Sequence, residues 1–227
     1  MKILSFATLL SAQTSKFIAR HKDDEVFVVS PLDDELLFSA IKNHHFLKYE
    51  IDTLGFVLAL VCARVLEFPE IEFPEIDQGY LSGESNASEE EIQTLCEFFS
   101  SCDGIIVAPE NFSGANSANI AFMLNALSKK FDFCVVGING KPYELNAPLK
   151  MSELEEGADF NGASVFCLPA EQVALKGSAM FAMASKLKNG AKVVIDGIEA
   201  TFELDSRLKG TTGLFFAPNA KYEFKKL

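Results

Sequence analysis

Between Ser88 and Gly137 the chain alternates between amphipathic stretches and short β-branched runs, with joins of only a few residues. Ser88 opens the sequence S-E-E-E, so Glu91 stands three residues on and the pair predicts a capping box. Ile92, Leu95, Cys96 and Phe99 then share one face of a helix that ends near Cys102. A strand at Ile105–Ala108, a helix over about Asn119–Lys130 and a strand at Phe133–Gly137 follow, with Ile120, Met123, Leu124 and Leu127 on the inward face of the helix. Parallel strands cannot be joined by a tight hairpin and need a crossover, which this alternation supplies. The expected fold class is α/β, a parallel-rich sheet with crossover helices.

The flanking regions extend that reading. Val26–Ser30 predicts a buried strand ending at Pro31, and Asp33, Asp34 and Glu35 place negative charge in the first turn of a helix through about Asn43. Asp52 or Thr53 can cap a further helix to about Leu66. The stretch 68–88, with two prolines, two glycines and many acids, reads as a long connection, and so does the acidic stretch 142–157. Ala163–Leu168 reads as a strand ending at Pro169, and 171–187 as partly helical with Gly177 weakening it. Four short strands then follow, Lys192–Ile195, Glu199–Leu204, Leu214–Phe216 and Tyr222–Phe224. They are punctuated by Asn189-Gly190, Asp196-Gly197, Lys209-Gly210 and Pro218-Asn219. This predicts an α/β domain over 1–188 and a small antiparallel β unit over 189–227.

Charge supports two units. Residues 1–185 carry 12 Lys and Arg against 27 Asp and Glu, whereas 186–227 carry 8 against 5, within a net charge of −12. An acidic chain of pI near 4.7 argues against nucleic acid as main partner and against a polybasic hold on anionic lipid. The start, MKILSFATLLSAQTS, imitates a secretory signal only weakly, with one lysine and the polar TSKFIARHKDDE behind it, and is read as a first strand or helix. Leu54–Leu66 is apolar but short of the roughly 20 residues a membrane span needs, and Arg64 interrupts it.

The five cysteines, Cys62, Cys96, Cys102, Cys134 and Cys167, contain no C-x-x-C pair, which disfavours zinc, iron–sulfur and disulfide frameworks. Cys62, Cys96, Cys134 and Cys167 lie in apolar runs and read as buried free thiols of a reducing cytoplasm. Adjacent His44 and His45 point apart, which makes a shared metal geometrically awkward, so no metal site is expected. The best candidate for chemistry is the loop Pro109–Ser117, at the carboxyl end of a parallel strand and before a helix, where open α/β sheets bind anionic groups. Glu110, Asn111, Ser113, Gly114 and Asn116 would make the contacts; alternatively Gly114 makes the turn and Asn116 or Ser117 caps the helix. Neither a dinucleotide fingerprint nor a phosphate-loop pattern is present, so no cofactor or catalytic residue is assigned.

Several segments, in serial order, resemble one family. They are VFVVSPLDDELL, HHFLKYEIDTLGFVLALVCARVL, IDQGYLSGESNASEEEIQTL, GIIVAPENFSGANSANIAFMLNALSKKFDFCVV and VFCLPAEQ, with the tail KVVIDGIEATFELDSRLKGTTGLFFAP. Together, over about residues 25–227, they resemble the C-terminal, molybdopterin-oxidoreductase-like region of the large iron–sulfur (G) subunit of bacterial respiratory complex I. The weight lies on F-L-K-Y-E-x-x-T and G-Y-L-S-x-E-S-N-x-x-E-E-E. Two departures stand out: the family's closely spaced cluster cysteines are missing, and LPAEQVALKGSAMF replaces a Gly-Thr-Phe stretch. The resemblance implies a truncated or divergent relative, non-catalytic and without a cofactor of its own. It would be held by other subunits on the peripheral arm of an NADH–quinone oxidoreductase, on the cytoplasmic side, in a version that can take electrons from ferredoxin or flavodoxin. The competing expectation is a stand-alone enzyme or nucleotide- or pterin-binding α/β domain using the 109–117 loop.

Overall fold

The computed structural model describes residues 1–14, 16–66 and 76–227. They form two compact units, Met1–Ala158 and Asp159–Leu227. The boundary falls well before the expected 188/189, because the strand near Ala163 joins the second unit's sheet and the helix after Gly177 packs against it.

The first unit is built on a five-stranded, wholly parallel sheet of β1 (Lys2–Ser5), β2 (Glu25–Ser30), β3 (His44–Lys48), β4 (Gly104–Val107) and β5 (Cys134–Gly137). The order is β3-β2-β1-β4-β5, so the chain works outward from β1 to β3 and then restarts beside β1 with β4. The point of reversal lies between β1 and β4, with Leu4 opposite Ile105. The stretch that imitated a secretory signal thus supplies the central strand.

The connections carry α1 (Leu10–Gln13), α2 (Phe17–His21), α3 (Glu35–Ala40), α4 (Leu54–Val65), α5 (Gln78–Ser85), α6 (Glu89–Phe99) and α7 (Ser117–Phe131). Leu4, Phe27, Val29, Ile105 and Val107 pack with α4, α6 and α7 on one face of the sheet. Ile3, Val26, Val28 and Ile106 pack on the other with Leu10, Phe17 and Leu37 of α1 to α3 and with Ile41 just after α3. Helix α4 is buried at every position from Leu54 to Cys62, as an apolar-all-round helix must be. The capping box forms as expected: Glu91 N donates to Ser88 Oγ (3.3 Å) and Ser88 N to Glu91 Oε2 (2.9 Å).

Part of the expected long connection 68–88 lies outside the described residues, including both prolines. Its remainder differs from expectation, because α5 forms there. Asp77 accepts from Tyr80 N (3.0 Å) to start it, Leu81 is buried in the α4 core, and Asn86 ends it at φ +55°.

The second unit holds β6 (Ser164–Pro169), β7 (Ala174–Gly177), α8 (Ala179–Ser185), β8 (Lys192–Ile195), β9 (Ile198–Leu204), β10 (Thr212–Ala217) and β11 (Glu223–Lys226). They form a curled six-stranded sheet of order β11-β6-β10-β7-β9-β8. It is mixed rather than purely antiparallel, since β10 runs parallel to β6 and β9 parallel to β7. Within the expected helical stretch 171–187, residues 174–177 are strand because Leu175 and Lys176 pair with both β10 and β9. Phe181 of α8, fully buried, sits where Gly177 and Gly213 leave room: a Cβ on either would lie 2.2 Å and 2.8 Å from its ring. The Asp196-Gly197 turn takes positive φ at both residues (51° and 77°), as a two-residue hairpin between β8 and β9 requires.

Candidate functional site

The carboxyl edge of the parallel sheet, where β1 and β4 diverge, is the place for a ligand in an open α/β fold. Four backbone N–H groups from just after β1 into the first turn of α1 point at groups of this chain instead. Ala7 N donates to Ser5 Oγ (3.2 Å), Thr8 N to Glu110 Oε1 (3.1 Å), Leu9 N to Gln13 Oε1 (2.9 Å) and Ser11 N to Asp34 Oδ2 (2.8 Å). A dinucleotide loop would leave such donors to a pyrophosphate. Here two carboxylates of the chain stand in the acceptor positions. Asp34, expected to charge the first turn of α3, also caps it by accepting from Leu37 N (3.2 Å), so it ties α3 to α1.

The 109–117 loop begins with a 3₁₀ turn over Pro109–Phe112. Asn111 is buried inside it, accepting from Ala108 N (2.8 Å) and donating through Nδ2 to Phe6 O (2.9 Å), which pins the end of β4 to the end of β1. Glu110 also accepts from Gln13 Nε2 (2.8 Å), while its Oε2 is buried with no hydrogen-bond partner among the described residues. Burial pushes the Glu110 carboxyl above the ordinary carboxylate range, against the lowering effect of the Gln13 and Thr8 bonds. Ser113 Oγ donates to Glu110 O (2.9 Å). Gly114 has no room for a side chain, because a Cβ there would lie 2.3 Å from Asp52 Oδ1. Asp52 sits at φ +69° and accepts from Ala158 N (2.9 Å) rather than capping α4.

Asn116 occupies the N-cap position of α7 but its side chain does not cap. It donates to Glu155 O (2.7 Å) and accepts from Glu155 N (3.0 Å). Asn119, one turn on, accepts from Ser152 N (3.0 Å) and donates to Glu153 O (3.2 Å). The two asparagines hold the irregular segment after Pro142 along α7. Four of the five loop residues singled out in the sequence are thus brought to internal contacts, and Ser113 closes its own turn. Thr8, Gln13, Asp52 and Asn119, their partners, escaped sequence reasoning; the Asn116–Asn119 spacing on one helix face was the visible sign of the last. Tyr49 is buried nearby, its hydroxyl driven well above the ordinary range first by burial and then by the Glu110 and Asp52 charges.

The histidine pair divides across β3 as expected. His44 stacks on Phe38 and bonds Ile41 O through Nδ1 (2.7 Å), while His45 stacks on Phe27 and reaches Glu25 Oε1 (3.2 Å). Among the described residues no group of three or more His, Cys, Asp or Glu is placed to hold a metal ion, and no helix is long and apolar enough to cross a membrane. Burial holds the thiols of Cys96, Cys102 and Cys167 up at about 11. Cys134 departs from expectation: it is exposed, and Cys102 is buried in its place. The apolar run around Cys134 is a strand whose one face packs while the other, which carries this thiol, stays open.

That open face lines a cleft of about 500 Å³ beside α2. Ile3, Ile106, Val136 and Ile138 form its floor and Phe17 one wall; Lys16, Arg20 and His21 line its rim. Comparison with known proteins finds no family model that matches the chain and no curated protein similar to it.

Proposed function

We propose that this chain is a non-catalytic accessory subunit of a complex I-type NADH–quinone oxidoreductase, carried on the cytoplasmic side by other subunits of the peripheral arm. The proposal begins from the serially ordered segments over residues 25–227, which run through both units. The observation that carries the non-catalytic part is the closure of the sheet's carboxyl edge. Thr8 N and Ser11 N, placed for a ligand's anionic group, are answered by Glu110 and Asp34. A stand-alone nucleotide- or pterin-binding domain would first have to break those bonds, each worth about 1.5–3 kcal/mol as a bond to a charged group.

Affinity purification from the native membrane fraction, followed by mass-spectrometric identification of partners, tests the proposal. Subunits of an NADH–quinone oxidoreductase in fixed ratio to this chain are the expected result. Recovery of the chain without them would overturn it. A thermal-shift screen with nucleotides and pterins examines the competing reading, since a ligand at 100 times its Kd stabilises by about 2.7 kcal/mol. Such a shift, abolished by Glu110→Ala, would favour an enzyme or binding domain.

A further inference from the structure

We propose that the outer face of α8 is a self-association surface, which receives the same face of a second copy of this chain around a twofold axis. The inference concerns the second unit's own surface and does not rest on the subunit reading. A surface helix of a globular protein carries polar residues on its outer face. In α8 Phe181 is buried, and the fully exposed positions are Ala179, Met180, Met183 and Ala184, every one apolar. Met180 is 57% and Met183 77% exposed. Met180, Met183 and Ala184 stand at i, i+3 and i+4, so they share one stripe. Leu204 adds to it at the start of the helix. It pairs with Gly177 in the register of β7 and β9, on the face where the Phe181 ring packs over Gly177, and it is half exposed.

Residue order selects the occupant. From either end, Ser178–Ser185 reads Ser-Ala-Met around a central Phe-Ala pair. Two copies laid antiparallel about an axis through that centre set Met180 against Met183 of the other copy and Ala179 against Ala184, each contact occurring twice. Such a match of one patch with itself is what a twofold interface needs. The flexible methionines can fill one another's gaps, and the alanines leave room for close approach.

Charge fixes the direction. Lys186 and Lys188, just past α8, are exposed and have no partner among the described residues. A parallel pair would bring these four cations together. Antiparallel helices carry them to opposite ends, with Lys186 about 13 Å along the axis from its counterpart, beyond a Debye length of about 8 Å. The acids at the other end of α8 are neutralised within the chain. Asp205, whose N–H bonds Gly177 O, is held by Arg207 (2.7 Å), and Glu203 by Lys176 (3.8 Å). A lipid surface fits less well, because α8 has only seven residues and the chain's net charge of −12 opposes anionic headgroups. The stripe is small beside the roughly 800 Å² per partner of a standard interface, so the dimer is a weak one, of micromolar dissociation constant.

Sedimentation equilibrium of the purified full chain tests this. The inference expects a concentration-dependent dimer, and Met180→Asp/Met183→Asp should raise its dissociation constant by roughly tenfold or more with an unchanged melting curve. A second measurement reads the geometry. Two variants, Met180→Cys and Met183→Cys, each with Cys134→Ser, are oxidised with glutathione disulfide alone and mixed. The mixture should form linked dimers about tenfold faster than either variant alone, since the twofold pairs 180 with 183 and neither with itself. A chain still monomeric at about 1 mM overturns the inference. A dimer that survives both aspartates rests on another surface and also overturns it. So does faster linkage of either single variant, which would mean a parallel pair. Retention of a monomeric chain on anionic vesicles, lost in the double aspartate variant, would hand the face to lipid.

Discussion

The carboxyl edge of the five-stranded sheet and its β4–β5 flank are closed to different degrees and by different means. At the edge, polar backbone donors and polar side chains are present in numbers, and the chain pairs them with one another, Glu110 with Thr8 and Gln13, Asn111 with Phe6 and Ala108, Asp34 with Ser11. On the flank Val136 and Ile138 are half-buried against the cluster formed with α1 to α3, and the thiol of Cys134 is the group left exposed. A polar loop at a switch point is a site only while its polar atoms are unanswered.

The comparison breaks first at Asn111. If the edge is structural, Asn111→Ala leaves the Ala108 N–H and Phe6 carbonyl buried without partners and lowers stability by roughly 2–4 kcal/mol. Urea unfolding measures it, and a loss under 0.5 kcal/mol would return Asn111 to the list of ligand contacts. Asn116→Ala and Asn119→Ala each lose bonds to 152–155 and cost about 1–2 kcal/mol, with faster hydrogen exchange across that segment. Unchanged exchange there would show that the asparagines do not anchor it.

Glu110 gives the edge a pH signature. Its carboxyl is raised in the folded state, so its contribution is fully present below the unfolded value and is lost as pH rises through the folded one. Glu110→Gln keeps an oxygen for Thr8 N and Gln13 Nε2 and removes the titration. The variant should gain stability relative to the native chain at pH 8 and not at pH 4, and parallel stability–pH curves would count against a buried carboxyl. The flank supplies the smallest effect. Lys16→Glu/Arg20→Glu should change the stability of the isolated chain by no more than about 0.5 kcal/mol, because both side chains are exposed and have no partner among the described residues. A larger loss would make the two cations part of the fold.

Much of the fold was legible. The strands from Val26, Ile105 and Cys134 and the helices from Leu54, Glu89 and Ser117 follow from local patterns, and the Ser88–Glu91 box from a four-residue signature. The misreadings share a cause. β7 was hidden because Ala174–Gly177 carries no strong β signal of its own and is held by strands on either side. β6 reads as a strand of the first unit, because nothing in S-V-F-C-L-P says which sheet it joins; its partners are β10 and β11, far along the chain. The acids around Gln78–Ser85 looked like connection, and burial of Leu81 in the α4 core outweighs them.

By itself the sequence determined what depends on neighbours within about a turn: element types, caps, the left-handed turn at Asp196-Gly197, and the presence of a loop where ligands bind in such sheets. Only the tertiary structure decided whether that loop is free. Glu110 meets Thr8 across 102 residues and Asn111 meets Phe6 across 105, and hydrogen bonds so distant in sequence leave no local pattern. The same holds for Cys134, whose apolar surroundings matched those of the buried thiols. Its exposure depends on which helices cover which face of the sheet, and that follows from the order β3-β2-β1-β4-β5.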